Sequence, residues 1–369
     1  MKFATSSADL LAQLSVVSRV ASTRSPVQAL SGVQVIARAD CAELRATDMD
    51  VGLRVPLAAA VERDGTVVLP ARLLLDIARS LPGSQASVEL RPSEQDVEIL
   101  SGSATFHIRT LRAEDFPPLP EPGGDSIVTV PAAAFVDTIN RVARSASRDE
   151  TRPILTGILV SAAGSEVRMV ATDSYRLSVK ETALDAPLDG DFEATVPARA
   201  LQELARISQT ADADELRVSV RANQIVFELG GDVLSSRLID GQFPNYRQLL
   251  PDAYEHELTM ASAELTEVVR RVSLMAQKNA PLRLRFNEGE LEVSAQTPDV
   301  GEASQTLPVP FAGEPFEIGF NPEFLRDGLE SSEGGDLVLK LISPLRPGLI
   351  ESADASGFLY LIMPIRLNA

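Results

Sequence analysis

The sequence predicts three consecutive α+β domains of similar build. Three observations predict it. Short segments recur at a spacing of about 125 residues, a helical pattern opens each repeat, and alternating strand patterns follow that helix. Leu30-Ser31-Gly32 returns as Leu155-Thr156-Gly157, and Thr47-Asp48 as Thr172-Asp173, both 125 positions on. Pro70-Ala71-Arg72 returns as Pro197-Ala198-Arg199, and Phe116-Pro117 as Phe243-Pro244, both 127 positions on. A fainter third copy puts Asn321-Pro322-Glu323-Phe324 about 125 positions beyond Val196-Pro197. A period of this length exceeds the roughly 20–50 residues of solenoid repeats and is the size of a domain. Loop composition at Leu119–Asp125 and Leu250–Glu255 sets domains at residues 1–122, 126–250 and 256–369.

Each repeat opens with a helix, over residues 7–20, 131–146 and 262–276. In the second, Phe135, Ile139 and Val142 form an apolar stripe at i, i+4 and i+7. Strands with period-two alternation follow, such as Glu215–Val220 and Gln224–Leu229. A second short helix starts after Pro70, after Pro197 and at Pro322, because proline suits the first turn of a helix. Helices interleaved with short strands at hairpin spacing predict antiparallel sheets.

The 369 residues carry a net charge of −18 and 44% hydrophobic residues, an ordinary globular composition. No apolar run reaches the roughly 20 residues of a membrane span, and the N-terminus has no signal-peptide pattern. The single Cys41 excludes an internal disulfide framework and suits a reducing cytoplasm.

An acidic chain is a poor nucleic-acid binder unless its cations are gathered together. Here they are. Arg72 and Arg79, Arg199 and Arg206, and Arg271 and Lys278 lie seven residues apart, about 20° short of two full turns, so each pair shares a helix face. Arg141, Arg144 and Arg148 stand at i, i+3 and i+7 on a face away from the apolar stripe. With Arg24, the first five helical segments sum to +6. The sixth, residues 322–333, breaks the trend at −3. Such faces suit contacts to phosphates that do not read bases, or they merely keep the helices solvated.

Two other function classes remain on the residues alone. Asp48, Asp50 and Asp173 could serve a metal-dependent nuclease or hydrolase, but a repeated Thr-Asp also reads as a turn. The chain could also be an acidic protein-binding scaffold without DNA. The sequence contains no HExxH, CxxC, P-loop or GxSxG, and has two histidines, His107 and His256, in unlike surroundings.

Met1-Lys2-Phe3, Val170–Leu177 (VATDSYRL), Asp240–Arg247 (DGQFPNYR), Ile318–Asn321 (IGFN) and Tyr360–Leu367 (YLIMPIRL) together resemble segments of the β subunit of bacterial DNA polymerase III. The resemblance runs through the whole chain in order. It implies the DNA clamp fold: three similar domains, each with two inner helices and outer antiparallel sheets, closed head-to-tail by two chains into a dimeric ring around duplex DNA. It would turn Arg24, Arg72, Arg79, Arg141, Arg144, Arg148, Arg199, Arg206, Arg271 and Lys278 toward the DNA.

The resemblance also implies a groove for short linear peptides. Leu155, Thr172, Ser174, Tyr175, Arg176, Leu177, Pro244, Leu249, Leu361 and Met363 would form one pocket. Asn321, Phe324, Leu345, Pro364, Ile365 and Arg366 would extend it. Leu155 and Leu177 equally suit an ordinary core. The ring interface would bring Phe106 and Ile108 to Leu274, although Phe106 also suits the core of its own domain. The implied partners are the polymerase III catalytic subunit, the clamp loader, translesion polymerases, ligase and mismatch-repair proteins. Neither cofactor nor metal is implied. Two departures stand out. Ser174-Tyr175 replaces the Gly-His of many members, which implies a pocket that is narrower or gated differently. Pro153-Ile154 stands where some members place tyrosines before the residue matching Leu155.

Overall fold

Strand pairing in the computed structural model runs within each sequence repeat and also crosses from one repeat to the next at two seams. The structure describes residues 1–39, 41–123, 126–211, 213–221, 223–276, 280–332, 334–354 and 356–367. One eight-stranded antiparallel sheet joins Gly32–Arg38, Cys41–Thr47, Val51–Ala58 and Gly65–Pro70 of the first repeat to four strands of the second. Those four are Ser126–Pro131, Glu215–Arg221, Gln224–Leu229 and Asp232–Arg237. The seam pairs Leu53 with Leu234 and Gly52 with Ser235. A second eight-stranded sheet joins Gly157–Ala163, Glu166–Thr172, Arg176–Ala183 and Phe192–Pro197 to His256–Ala261, Asp336–Leu341, Gly348–Ser352 and Phe358–Ile362. Its seam pairs Leu177 with Leu361 and Ser178 with Tyr360.

The chain accordingly folds as two compact units, Met1–Ala132 with Glu203–Leu238, and Ala133–Gln202 with Ile239–Ala369. The middle repeat is shared between them, because a hydrogen-bonded sheet holds its strands more tightly than a linker holds two domains. Each unit carries one further sheet. In the first, Ala60–Arg63, Lys2–Ser6, Gln85–Arg91, Asp96–Ser101 and Ala104–Arg109 pair in that order. In the second, Gly301–Pro308, Glu290–Thr297, Leu282–Asn287 and Phe316–Phe320 do so.

The described residues form six α-helices: α1 Ser7–Val17, α2 Ala71–Ser80, α3 Ala132–Val142, α4 Ala198–Ile207, α5 Ser262–Val272 and α6 Pro322–Ser331. Their starts have local causes. The Ser6 side chain caps α1 by accepting from the Asp9 N–H. Pro70 and Pro197 directly precede α2 and α4. Asn321 caps α6 by accepting from the Glu323 and Phe324 N–H groups, with Pro322 at the first position. The stripe Phe135, Ile139 and Val142 of α3 is fully buried. In the second unit, Phe311 and Phe316 pack on His256 and on each other, and Phe286 packs on both, at centroid distances of 5.0–5.7 Å. The tilted and offset geometries are those that aromatic quadrupoles favour.

Candidate functional site

The repeated Thr-Asp segment builds the same turn twice. Thr47 Oγ1 donates to the Val51 carbonyl at 2.8 Å, and Thr172 Oγ1 to the Arg176 carbonyl at 2.7 Å. Asp48 Oδ1 accepts from the Asp50 and Val51 N–H groups at 3.1 and 2.8 Å. Asp173 Oδ1 accepts from the Tyr175 and Arg176 N–H groups at 2.9 and 3.0 Å. Each turn drives a non-glycine residue into the left-handed region, Met49 at φ 83° and Ser174 at φ 80°. The Asp48 and Asp173 carboxylates are thus committed to holding turns. Among the described residues, no three His, Cys, Asp or Glu side chains converge as a metal site.

The two turns border very different cavities. Beside the first lies a cavity of about 120 Å³ walled by Thr47, Met49, Asp50, Gly52 and Pro117–Pro120. The second borders a pocket of about 690 Å³. Loop length explains the contrast. Strands Asp336–Leu341 and Gly348–Ser352 are separated by the six residues Ile342–Pro347, where their counterparts Glu215–Arg221 and Gln224–Leu229 are separated by two. That longer loop raises Leu345 and Arg346 as one wall, and Gln248–Ala253 forms another. The base is apolar: buried Leu177 and Leu361 belong to a cluster with Val170, Phe243, Tyr246 and Leu349. Above it, Tyr175, Leu249, Leu345 and Met363 are 62%, 50%, 65% and 42% exposed, an unusual concentration of apolar surface.

A buried ion cluster stiffens the pocket edge. The Arg176 guanidinium donates to Asp173 Oδ2 at 3.0 Å, to Asp327 Oδ2 at 2.6 Å and to the Arg144 carbonyl at 2.5 Å. It also lies 4.3 Å from the ring centroid of Phe324, which stacks with Tyr175 at 6.5 Å. Burial works against the Arg176 charge. Its polar neighbours Tyr360, Asp327 and Asp173 more than offset that cost and hold its pKa above the ordinary arginine value. The Tyr360 hydroxyl donates to the Phe324 carbonyl at 2.7 Å, and burial pushes that phenol up.

Of the residues expected in a groove, the pocket gathers Thr172, Ser174, Tyr175, Arg176, Leu177, Leu249, Leu345, Leu361 and Met363. The others lie outside its lining. Leu155 is buried in the turn Pro153–Thr156, Pro244 is exposed, and Asn321 serves as the α6 cap. Phe324 backs Tyr175 and Arg176, while the Ile365 N–H bonds to the Gly319 carbonyl between Pro364 and Arg366. Sequence reasoning missed Gln248, Leu250–Ala253, Ile342, Arg346 and Pro347. The apolar residues inside Leu-Pro-Asp-Ala-Tyr and Ile-Ser-Pro-Leu-Arg-Pro were the available signal.

The arginine faces divide into two kinds. Arg24, Arg72, Arg148 and Arg199 are exposed. Arg79 is exposed beside Asp76 at 3.2 Å, and Arg271 beside Gln305 at 3.1 Å. Arg206 shares buried Glu203 with Arg19, at 3.0 and 2.6 Å. Arg141 is half-buried, bonded to Asp137 at 3.2 Å and to the Ser331 carbonyl at 3.0 Å. Arg144 pairs with Asp327 at 3.5 Å and with Glu330. Two of the acidic residues that broke the charge trend, Asp327 and Glu330 of α6, are therefore counter-ions to arginines of the second repeat. Lys278 lies outside the described residues. Ile108 is buried in its own sheet, on the edge strand Ala104–Arg109. Phe106 on that strand is half-buried, and Leu274 is 80% exposed.

Three family descriptions match in succession: the N-terminal domain of the DNA polymerase III beta subunit over residues 1–120, its central domain over 129–245 and its C-terminal domain over 247–366. The beta sliding clamp of Streptomyces coelicolor is 33% identical over 356 residues, covering 94% of each chain. The crystal structure of the Bacillus subtilis DNA polymerase sliding clamp superposes with a TM-score of 0.91 at 27% identity, covering all of both chains. That of the Pseudomonas aeruginosa sliding clamp bound to griselimycin does so with a TM-score of 0.90 at 28% identity, also over both chains entirely. Fold and matches define the class: a three-domain clamp without catalytic chemistry of its own. The chain belongs to the DNA polymerase III β subunit family, and its function is that of a DNA sliding clamp, the processivity factor that tethers the replicative polymerase to its template.

Proposed function

We propose that two copies of this chain close head-to-tail around duplex DNA, that the exposed arginines meet its phosphates, and that the 690 Å³ pocket takes up short apolar peptides of its partner enzymes. The arrangement of strands carries the first part. Strand Asp232–Arg237 pairs with Val51–Ala58, and its counterpart Phe358–Ile362 pairs with Arg176–Ala183. The remaining members of this series, Ala104–Arg109 and Gly301–Pro308, are both edge strands, each paired on one side only among the described residues. Pairing them between two copies completes a third shared sheet and covers edges that would otherwise invite aggregation. Phe106 and Leu274 would flank that seam.

The apolar walls support peptide docking. Two or three anchors at ~1.5–3 kcal/mol each, less the ordering cost, put the affinity near the micromolar range. Such binding exchanges readily, as a platform shared by the polymerase catalytic subunit, clamp loader, translesion polymerases, ligase and mismatch-repair proteins requires. We place this activity in the cytoplasm.

The test is DNA synthesis on a primed circle with clamp loader and polymerase, with and without the protein. Products should lengthen when it is added. A solution mass of one chain at every concentration, or unchanged product length, would overturn the reading.

A further inference from the structure

The acidic helix α6 gives the docking pocket a physical link to an arginine proposed to face DNA. One carboxylate serves both. Asp327 Oδ2 holds Arg176, a pocket-lining residue, at 2.6 Å, and Asp327 Oδ1 lies 3.5 Å from Arg144. The Arg144 carbonyl in turn accepts from Arg176 at 2.5 Å, so backbone and side chain of Arg144 both touch the cluster. The Asp327 side chain is 12% exposed and that of Arg176 is 8% exposed, so their interaction is little screened by water. The Arg144 side chain is 48% exposed and can leave without disrupting a core.

We propose that Asp327 is a positioning residue that couples pocket and DNA: a phosphate that draws Arg144 away leaves the Asp327 charge undivided for Arg176, and the pocket binds peptide more tightly. The inference rests on the proposed roles of Arg144 and the pocket. Two guanidinium groups compete for one carboxylate, so removing one strengthens the bond to the other. Stiffening Arg176 also fixes the Phe324 ring beneath it and the Tyr175 ring stacked on Phe324. Pre-ordering such a wall lowers the cost of ordering it on binding. By linkage, peptide must then tighten DNA binding by the same factor.

The experiment measures the affinity of a fluorescein-labelled pentapeptide, Ala-Leu-Ser-Leu-Phe, by anisotropy at fixed low salt, with and without a saturating short duplex. Its three large apolar side chains match the pocket walls. The dimeric wild-type protein, Asp327→Asn and Glu330→Gln are compared. We expect duplex to tighten peptide binding about fivefold in the wild type, the lower end of ordinary coupling because the Arg144 contact is long. Asp327→Asn should lose that dependence. Glu330→Gln, on the exposed side of α6, should keep it, and it serves as a folded control should Asp327→Asn misfold. Equal affinity with and without duplex in a wild type that binds both ligands overturns the inference alone, as does a fivefold effect that persists in folded Asp327→Asn. Peptide or duplex that fails to bind the wild type at all overturns the underlying reading instead.

Discussion

Truncating Leu345 and Leu177 separately tells a docking surface from a core. Leu345 is 65% exposed on the loop Ile342–Pro347, and Leu177 is 1% exposed at the pocket base. Complete burial of a leucine side chain is worth ~1.5–3 kcal/mol, so a peptide that covers the open two-thirds of Leu345 gains about 1–2 kcal/mol from it. Leu345→Ala should therefore weaken peptide binding about 5- to 30-fold. It should barely change folding stability, because that surface is already wet. Leu177→Ala should do the reverse first: lose ~2–5 kcal/mol of stability from a cavity beneath the seam to Leu361, with binding falling as a consequence. Paired urea titrations and anisotropy measurements on the two variants decide. If Leu345→Ala binds peptide as the wild type does while remaining folded, peptide does not lie against that wall. If it unfolds as readily as Leu177→Ala, the loop is structural and the exposed Leu345 is not a docking wall.

Two further predictions concern stability. Burial raises the Asp232 carboxyl from 3.8 to about 6. The folded protein thus holds that proton more tightly than the unfolded chain, and its stability from this group falls as pH rises from about 4 to 6. Allowing for partial solvent access, Asp232→Asn should be about 1–2 kcal/mol more stable than the wild type at neutral pH and no more stable near pH 4; denaturant melts at the two pH values check it, and an equal difference at both would refute it. In α6, a Cβ on Gly328 would come within 2.5 Å of Cδ1 and Cε1 of the buried Tyr360 ring. Gly328→Ala should therefore cost about 1–3 kcal/mol of overpacking, more than the ~1 kcal/mol that alanine gains in a helix. A urea midpoint at or above that of the wild type would contradict it.

The repeats, the six helix starts and the half of the pocket built on Thr172–Leu177 were legible because each is local. A proline before a helix, a Thr-Asp turn and an apolar stripe depend on neighbours a few residues away. The pocket's depth was not legible. It depends on loop Ile342–Pro347 and on Gln248–Ala253, whose composition says only that they are loops. The pairing of strands across repeats was equally hidden, since equivalent strands have equivalent patterns whichever copy they join. Helix spacing placed Arg141 and Arg144 on one surface, but α6, which supplies Ser331, Asp327 and Glu330 against them, lies some 190 residues further along the chain.

That hidden packing changes how the positive charge should act. A sum over helices treats every arginine alike, yet an arginine holding a carboxylate must release it before it can replace a phosphate counter-ion. Arg148 is exposed and makes no ion pair among the described residues. Arg141 is 16% exposed and holds both Asp137 and a carbonyl of α6. Each phosphate contact contributes about −0.9 to the slope of log affinity against log salt. Arg148→Ala should therefore make that slope shallower by about 0.9 and leave stability within ~0.5 kcal/mol. Arg141→Ala should leave the slope unchanged and cost about 1–3 kcal/mol of stability, because the Ser331 carbonyl loses a charged donor. Duplex titrations between low and moderate salt separate the two. Equal changes in slope would mean that Arg141 leaves its partners freely, and that the helical charge can be counted from sequence after all.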